Sequence, residues 1–233
     1  MNKIKKIVVN YTVSLSSLLL RHKKYETDST LVKVNLGCGL RCSPDWINID
    51  GSLTALLGSK RFVFINKILY KLAGSSHYYS FEAFNKVIQT DGLSFFDLRK
   101  GVPFRSNYCD VIYCSHFLEH LNKKDGQSFL RECFRVLKPG GILRIIVPDL
   151  DVAFSMYKKN EIEKMQSLFF FTSDDWDFAA HKFNYNFSYL KGALEEAGFN
   201  KVEKMAFQKG KCPDIGYLDV HPEHSLYVEG IKP

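Results

Sequence analysis

The sequence predicts an α/β fold with a doubly wound, mainly parallel sheet, and three observations support this fold class. Short apolar runs alternate with longer amphipathic segments along most of the 233 residues, a pattern typical of strands alternating with helices. Several runs end in glycine or an acidic residue, as strands do at the ligand-binding edge of such sheets. The last two runs alternate apolar and polar residues, which predicts a C-terminal antiparallel hairpin.

Length and composition indicate how the chain is divided. With 45% hydrophobic and 24% charged residues, the chain can bury the core of one α/β domain. We expect residues 1–30 to form a basic and apolar helical segment. Residues 31–233 are expected to form a single domain with a helical insertion at about 52–90.

Charge and cysteine content limit the partners and the compartment. The net charge of +7 favours anionic surfaces or substrates. Lysine and arginine form no run long enough for a nucleic-acid arm, so no nucleic-acid partner is expected. The six cysteines have neither metal-ligand spacing nor the density of a disulfide scaffold. We therefore expect a reducing compartment, the cytoplasm.

The N-terminal segment combines lysines with an apolar stretch. Lys3, Lys5 and Lys6 precede the mostly apolar run Ile7–Leu20. The order is similar to a signal peptide, but the run is too short to span a bilayer and no small-residue cleavage site follows. Two interpretations stay open: a helix packed on the domain, and an amphipathic helix in peripheral contact with an anionic membrane.

Two strand tips near the start of the domain suggest a nucleoside site. The apolar run Leu31–Leu36 ends in Gly37, Cys38 and Gly39, and the next run ends at Asp50. Glycine permits a positive φ and lets a ligand approach the backbone closely. A carboxylate at the second tip can accept hydrogen bonds from two ribose hydroxyls. A tight turn between core strands is the alternative explanation for the glycines.

Three later runs end in polar residues as well. Phe95–Leu98 carries Asp97 at a third tip, Cys109–Cys114 leads into Ser115 and His116, and Ile142–Val147 leads to Asp149. Because the carboxyl ends of parallel strands meet at one edge, these residues are expected to share a site.

Two helices have predictable ends. Asp125 is the predicted N-cap of a helix that runs to Leu137 and stops at Lys138–Gly141. Asn186 or Ser188 caps the last helix, which Gly198 ends.

These motifs together resemble class I S-adenosylmethionine-dependent methyltransferases, and more narrowly the small methyltransferase-domain proteins of bacterial surface-polysaccharide biosynthesis. The motifs are Val34–Gly39, Trp46–Asp50, Asp97–Leu98 with Val102–Phe104, Asp110–Tyr113 with His116–Leu121, and Leu137–Gly141. The resemblance implies a seven-stranded Rossmann-like methyltransferase sheet and S-adenosyl-L-methionine as cofactor.

The resemblance also assigns roles to residues. The cofactor-binding set that it implies is Gly37, Cys38, Gly39, Asp50, Asp97, Leu98 and Ser115. In that set Asp50 would hold the ribose hydroxyls, and Asp97 with the Leu98 amide would read the adenine edge. The chain departs from the family pattern at Asn35, where an acid is common, and in a connection between the first two strands that is too short for the usual helix.

Three residues are candidate catalytic bases: His116 first, then Asp149 and His181. Histidine has an ordinary pKa of about 6.5, which suits proton transfer near neutrality. Each candidate also has a structural explanation, namely helix packing for His116, a turn acid for Asp149 and a surface position for His181. His221 and His224 are expected to be surface residues.

The expected function is O-methylation of a sugar or glycan intermediate. The alternatives are a methyltransferase of a soluble small molecule and a non-catalytic protein with the same fold. A further alternative is a zinc peptidase, because His116-x-x-Glu119-His120 matches an inverted zinc motif. That chemistry requires both histidines on one continuous helix, and we expect no metal.

Overall fold

The computed structural model describes residues 3–20, 22–58, 62–72, 75, 79–90, 92–170 and 180–233. Its strands are β1 (Lys33–Leu36), β2 (Ile47–Asp50), β3 (Leu93–Phe95), β4 (Cys109–Ser115), β5 (Leu137–Pro148), β6 (Asn200–Met205) and β7 (Ser225–Ile231). They form one sheet in the order β3-β2-β1-β4-β5-β7-β6. The first five strands are parallel, and β7 is antiparallel to both β5 and β6. The predicted fold class is therefore confirmed.

Helices connect most of the strands. They are α1 (Lys3–Leu19), α2 (Leu53–Leu57), α3 (Val63–Leu72), α4 (Phe81–Thr90), α5 (Lys123–Val136), α6 (Leu150–Lys158), α7 (Ile162–Phe169), α8 (Phe187–Ala197) and α9 (Ile215–Leu218). Helices α2 to α4 lie between β2 and β3, where the sequence predicts an insertion. Within the described ranges, every helix is too short or too polar to cross a bilayer.

The main core lies between the central strands and the helices α5 and α8. Its fully buried side chains include Leu36, Ile112, Ile145, Phe129, Leu130 and Leu190. Burying a side chain of this size contributes about 1.5–3 kcal/mol. The central strands β1, β4 and β5 are thereby fixed, and with them the positions of their carboxyl ends.

The predicted ends of α5 need correction, whereas those of α8 are confirmed. The N-cap of α5 is Asn122, whose side chain accepts a hydrogen bond from the Asp125 amide. Leu137 has extended backbone and pairs with Cys109, so α5 ends one residue before it. In α8 the Asn186 side chain caps the first turn, and Gly198 ends the helix with φ 110°.

A loop without a helix connects β1 to β2, as the sequence predicts. The Asn35 side chain donates to the Arg41 carbonyl at 2.8 Å. Asn48, fully buried, accepts from the Ser43 amide and donates to the carbonyls of Ser43 and Trp46. A carboxylate at position 35 could not donate to Arg41. Asparagine at this position therefore serves the short loop.

Helix α1 packs on the domain. Val13 is buried in a cluster with Leu69 and Phe84, and the Ser17 hydroxyl donates to the Asp97 carboxylate at the tip of β3. Part of α1 still faces outward, since Leu19 is 72% exposed. The membrane-contact interpretation therefore stays a prediction.

Candidate active site

The carboxyl ends of β1 and β2 form a glycine turn held by one carboxylate. Gly37 and Gly39 have φ values of +66° and +53°, which side chains other than glycine rarely adopt. The Gly39 amide donates to Asp50 Oδ2 at 2.9 Å, and the Ser52 amide donates to Oδ1 at 2.8 Å. Each oxygen keeps a second lone pair. Asp50 can thus fix the turn and still accept bonds from a ligand.

The two glycines differ in what surrounds them. A Cβ added at Gly37 would lie 2.5 Å from the Phe117 ring, whereas one at Gly39 would meet nothing within 4 Å. Phe117 therefore closes one side of the turn, and the space beside Gly39 is open. A cofactor can approach the backbone from the Gly39 side.

Cys38 can contribute only its backbone to this turn. Its side chain is buried, and its Sγ lies 3.8 Å from the Cys42 Sγ. Burial raises the pKa of the Cys38 thiol well above its usual value. This placement agrees with the backbone role that the family resemblance implies.

Asp97 lies at the tip of β3 but is already fully engaged. Arg99 donates to it from its backbone amide and from two guanidinium nitrogens, and Ser17 donates from α1. Burial raises the pKa of Asp97, but the bonds from Arg99 and Ser17 outweigh it, so the pKa lies below its ordinary value. The adenine-reading role of Asp97 and Leu98 stays a prediction, and it requires one of these contacts to open.

Ser115 ends β4 with a buried hydroxyl. Its Oγ is buried without a hydrogen bond of good geometry among the described residues, and the Tyr113 hydroxyl is its polar neighbour. A buried hydroxyl without a good hydrogen bond costs free energy, and a ligand that bonds to it would lower that cost. Its position next to the glycine turn, on the strand that pairs with β1, supports its predicted place in the cofactor set.

His116 follows β4 in a strained backbone conformation. Its φ is 51°, a region that non-glycine residues enter at some energetic cost and mostly at functional sites. Its Nε2 lies 3.1 Å from Ser225 Oγ, and its Nδ1 lies 3.3 Å from Glu119 Oε1. The ring is therefore held at both nitrogens, and its side chain is still 23% exposed.

Glu119 is the residue that the predicted catalytic set omits. Its side chain is completely buried, and it lies near three histidines: His116, His120 and His181. Burial raises the pKa of Glu119, but the contact with His116 and its charge, together with the charge of His120, lower the pKa below its ordinary value. The spacing of three between His116 and Glu119 is the signal that could have paired them.

His181 is half-buried rather than on the surface. Its side chain is 11% exposed, its Nε2 lies 4.0 Å from Glu119 Oε1, and its Nδ1 lies 3.3 Å from the Phe169 carbonyl. Burial is the main cause that lowers the pKa of His181. As a candidate base, His181 is less accessible to an acceptor than His116, whose side chain is 23% exposed.

Asp149 has structural contacts on both carboxylate oxygens. Oδ1 accepts from the Asp151 amide as the N-cap of α6, and Oδ2 pairs with Lys204 Nζ at 3.1 Å. The structure supports the turn-acid explanation more than the catalytic one.

Five of the seven histidines in the chain converge here. His221 is exposed, as predicted, but its ring centroid lies 5.1 Å from that of His116. His224 is half-buried and 5.3 Å from His221, which corrects its predicted surface position. Burial, followed by the nearby His116, lowers the pKa of both.

The zinc-peptidase alternative does not fit this geometry. The helical turn after β4 is a short 3-10 turn, Leu118–His120. His116 lies before it with a left-handed φ, so His116 and His120 do not share one continuous helix. The arrangement that the peptidase motif requires is absent.

Comparisons with known proteins support the methyltransferase class for part of the chain. Residues 75–145 match the family model described as a methyltransferase domain. The ubiquinone/menaquinone biosynthesis C-methyltransferase UbiE of Vibrio cholerae is 34% identical over 109 residues, which are 43% of this chain and 41% of that protein. The same enzyme of Shewanella sediminis is 32% identical over 112 residues, 45% of this chain and 44% of that protein.

Solved structures are similar to the chain over most of its length at low identity. A SAM-dependent methyltransferase of Thermotoga maritima, described as a possible histamine N-methyltransferase, is 14% identical with a TM-score of 0.49, and the match covers 98% of this chain and 91% of that one. The chain spans less than half the length of the curated relatives it matches. Residues 75–145, which match the methyltransferase-domain model, agree with the predicted reaction class, and the predicted domain bounds stay a prediction.

Proposed function

We propose that this chain is an S-adenosylmethionine-dependent methyltransferase that methylates a hydroxyl group of a sugar or glycan intermediate. The match to a methyltransferase domain supports the reaction class. The observation that favours a hydroxyl acceptor is the pair of His116 and Glu119 at the tip of β4, with Nδ1 and Oε1 3.3 Å apart. A hydroxyl nucleophile must lose a proton, and this pair can receive it.

The strand tips fit the proposed cofactor. When bound, S-adenosylmethionine supplies a methyl group on a positively charged sulfonium. The Asp50 carboxylate would hold the ribose hydroxyls, the backbone of the glycine turn would lie against the methionine part, and the buried Ser115 Oγ would donate or accept one bond. A carboxylate beside a cationic nucleoside without phosphates is electrostatically favourable.

The residues of the chain supply position and a base. Glu119 holds His116 Nδ1, so that Nε2 is the nitrogen directed away from the carboxylate. In the structure Nε2 contacts Ser225 Oγ, and an acceptor hydroxyl in hydrogen-bond distance would transfer its proton to the same nitrogen. Positioning of the reactants can contribute up to roughly 7–11 kcal/mol, and a positioned base about 10²–10⁴-fold in rate.

The choice of a glycan acceptor rests on the surface-polysaccharide resemblance and on charge. A net charge of +7 suits anionic glycans and anionic membranes. The exposed apolar side chains Leu15, Leu19, Phe64 and Ile68 lie on α1 and α3. We place the protein in the cytoplasm, with peripheral contact at the inner membrane face as part of the same proposal.

A carbon acceptor is the second candidate function. The curated relatives are named ubiquinone/menaquinone biosynthesis C-methyltransferases. An aromatic ring that carries a hydroxyl also becomes a better nucleophile when a base removes that proton. The same histidine would then serve a different acceptor.

Labelling with radioactive S-adenosylmethionine tests these proposals. The protein is incubated with the labelled cofactor and with fractions of the source cell, and each fraction is counted. Label in carbohydrate or glycolipid supports the glycan acceptor, and label in an aromatic lipid supports the carbon acceptor. Label in protein or RNA alone contradicts both. Calorimetry with S-adenosylhomocysteine separates the enzyme from a non-catalytic protein with the same fold. A protein that has lost the cofactor site would not bind it.

Asp50→Asn is expected to weaken binding of S-adenosylhomocysteine by roughly 10–150-fold. A hydrogen bond to a charged group contributes about 1.5–3 kcal/mol, and the substituted asparagine loses the charge while it can still accept one amide bond of the turn. Calorimetric titration measures the change. Asp45→Asn, which changes an exposed acid in the loop between β1 and β2, is the matched control. Equal affinity of the two variants would show that Asp50 does not hold the ribose.

A further inference from the structure

Three side chains near the tip of β4 offer metal-ligand atoms that lie close together. The ligand atoms of Glu119, His120 and His181 are all within 4.8 Å of one another. Glu119 and His120 lie in the turn after β4, and His181 comes from the loop before α8. The rings of His120 and His181 also meet edge to face, with centroids 5.1 Å apart.

Backbone carbonyls hold the outer nitrogen of each histidine. His120 Nδ1 lies 3.2 Å from the Ala180 carbonyl, and His181 Nδ1 lies 3.3 Å from the Phe169 carbonyl. A hydrogen bond from Nδ1–H to a carbonyl fixes the tautomer that leaves Nε2 unprotonated. Metal-binding histidines are commonly oriented by such a contact. The two Nε2 atoms are therefore the ones that would ligate an ion.

The carboxylate between them lacks a hydrogen bond of good geometry from the part of the chain that the structure describes. Glu119 is 0% exposed, and neither Oε1 nor Oε2 has a hydrogen-bond partner among the residues that the structure describes. Oε1 also lies 3.3 Å from His116 Nδ1, a contact that is an ion pair only when His116 is protonated. An ionised carboxylate that is buried in this way needs a nearby positive charge. One carboxylate and two imidazole rings placed together are a donor set that favours a cation.

The distances suit an ion better than a direct hydrogen bond. His181 Nε2 lies 4.0 Å from Glu119 Oε1, beyond the range of a hydrogen bond. Two atoms that each lie about 2.0–2.1 Å from one zinc ion are at most roughly 4.2 Å apart. One ion can bridge this gap, and a tetrahedral geometry, in which ligand atoms lie roughly 3.3–3.4 Å apart, requires the side chains to close slightly around it.

We propose that Glu119, His120 and His181 bind one divalent transition-metal ion of the Zn²⁺ class. Two imidazole nitrogens and one carboxylate oxygen are a ligand set that zinc accepts, with a fourth position left for water or another oxygen ligand. The proposal departs from the expectation that no metal is bound. It goes beyond the proposed methyl transfer, because it concerns an ion held behind His116.

The ion would connect two parts of the chain that are distant in sequence. His120 and Ala180 are 60 positions apart, and the ion would fasten the loop before α8 to the end of β4. Glu119 has two oxygens, so it can contact both the ion and His116. Binding to the folded state alone stabilises that state.

Titration of the full chain with ZnCl2 tests the proposal. After removal of metal with a chelator, calorimetry is expected to show one ion per chain, and at 100 times the Kd the melting temperature should rise by about 5–10 °C. Co²⁺ should give the visible absorption bands of a tetrahedral nitrogen and oxygen site. The readouts are metal content, melting temperature and absorption, so the result is independent of the proposed activity.

Glu119→Gln and His181→Gln are expected to weaken Zn²⁺ binding by at least about 100-fold, more than the loss of an outer contact does. His221→Gln is the matched control, since this histidine lies in the same cluster but outside the ligand set, and its affinity should be unchanged. No stoichiometric ion in the natural protein, or equal affinity in all three variants, would overturn the proposal. If a variant fails to fold, the Zn²⁺ stoichiometry and Co²⁺ spectrum of the natural protein still decide it.

Discussion

His116→Asn is expected to lower the rate of methyl transfer by about 10²–10⁴-fold, the usual contribution of a positioned base. Asparagine is the suitable replacement because it tolerates the left-handed backbone that His116 adopts, with φ 51°. It cannot accept a proton near neutral pH. The rate is measured as label transferred from S-adenosylmethionine to the acceptor fraction, and cofactor binding is measured separately by calorimetry.

The control for this experiment is His22→Asn, which changes an exposed histidine after α1. Its rate should match that of the natural protein. The affinity of His116→Asn for S-adenosylhomocysteine should change little, since Asp50 and the glycine turn lie on other strands. A variant at His116 with full activity would show that the acceptor needs no base from this position.

The mainly parallel arrangement of the strands and the edge that carries the site are readable from the sequence for a physical reason. Buried parallel strands need continuous apolar runs, and crossover connections are almost always right-handed. The ligand edge is where the runs end, so Gly37, Asp50, Ser115 and His116 could be assigned to it in advance. The structure places each of them at a strand end.

The convergence of side chains beyond those tips could not be predicted in the same way. Glu119 and His181 come from different segments, and no local pattern indicates that their side chains meet. Glu119 is completely buried, whereas a glutamate is ordinarily expected at the surface. Its residue type therefore gives no sign of its place in the site. The histidine cluster forms because the loop before α8 packs against the end of β4, a long-range contact that no local pattern indicates.

Helix ends show a smaller limit of sequence reasoning. Asn122 and Asp125 are both good capping residues one turn apart, and the preference for either type is nearly equal. The side chain of Asn122 accepts the Asp125 amide, so the helix begins three residues earlier than predicted. The contact of Ser17 with Asp97 could not be predicted either, because the two residues are distant in sequence. An amphipathic helix such as α1 can pack on a domain or on a membrane, and the sequence does not distinguish the two.

The mostly apolar run Ile142–Val147 in β5 contains one buried charge, Arg144. Arg144 is completely buried and forms two bonds with Asp219, at 2.6 and 3.0 Å, and one with Glu229 at 2.8 Å. Burial lowers the pKa of Arg144, but the bonds and charges of Asp219 and Glu229 outweigh it and raise the pKa. The guanidinium thus stays charged and joins the loop between β6 and β7 to the sheet.

Arg144→Met is expected to lower the free energy of unfolding by about 3–5 kcal/mol, since it leaves two carboxylates buried without their partner. The carboxylates cannot simply be released, because they also accept the backbone amides of Gln208, Lys211 and Cys212. Arg144→Lys should lose less, because it keeps the charge but not the forked geometry. Urea unfolding followed by circular dichroism measures both changes.

The matched control is Lys191→Met, which breaks the exposed pair with Glu195 on α8. A pair of this kind contributes less than about 0.5 kcal/mol. The contrast isolates burial as the cause, since both substitutions replace a cation with the same apolar side chain. A loss below about 1 kcal/mol at Arg144 would mean that Asp219 and Glu229 reach water or a proton in the variant, and that the loop is held by its backbone bonds rather than by the charge.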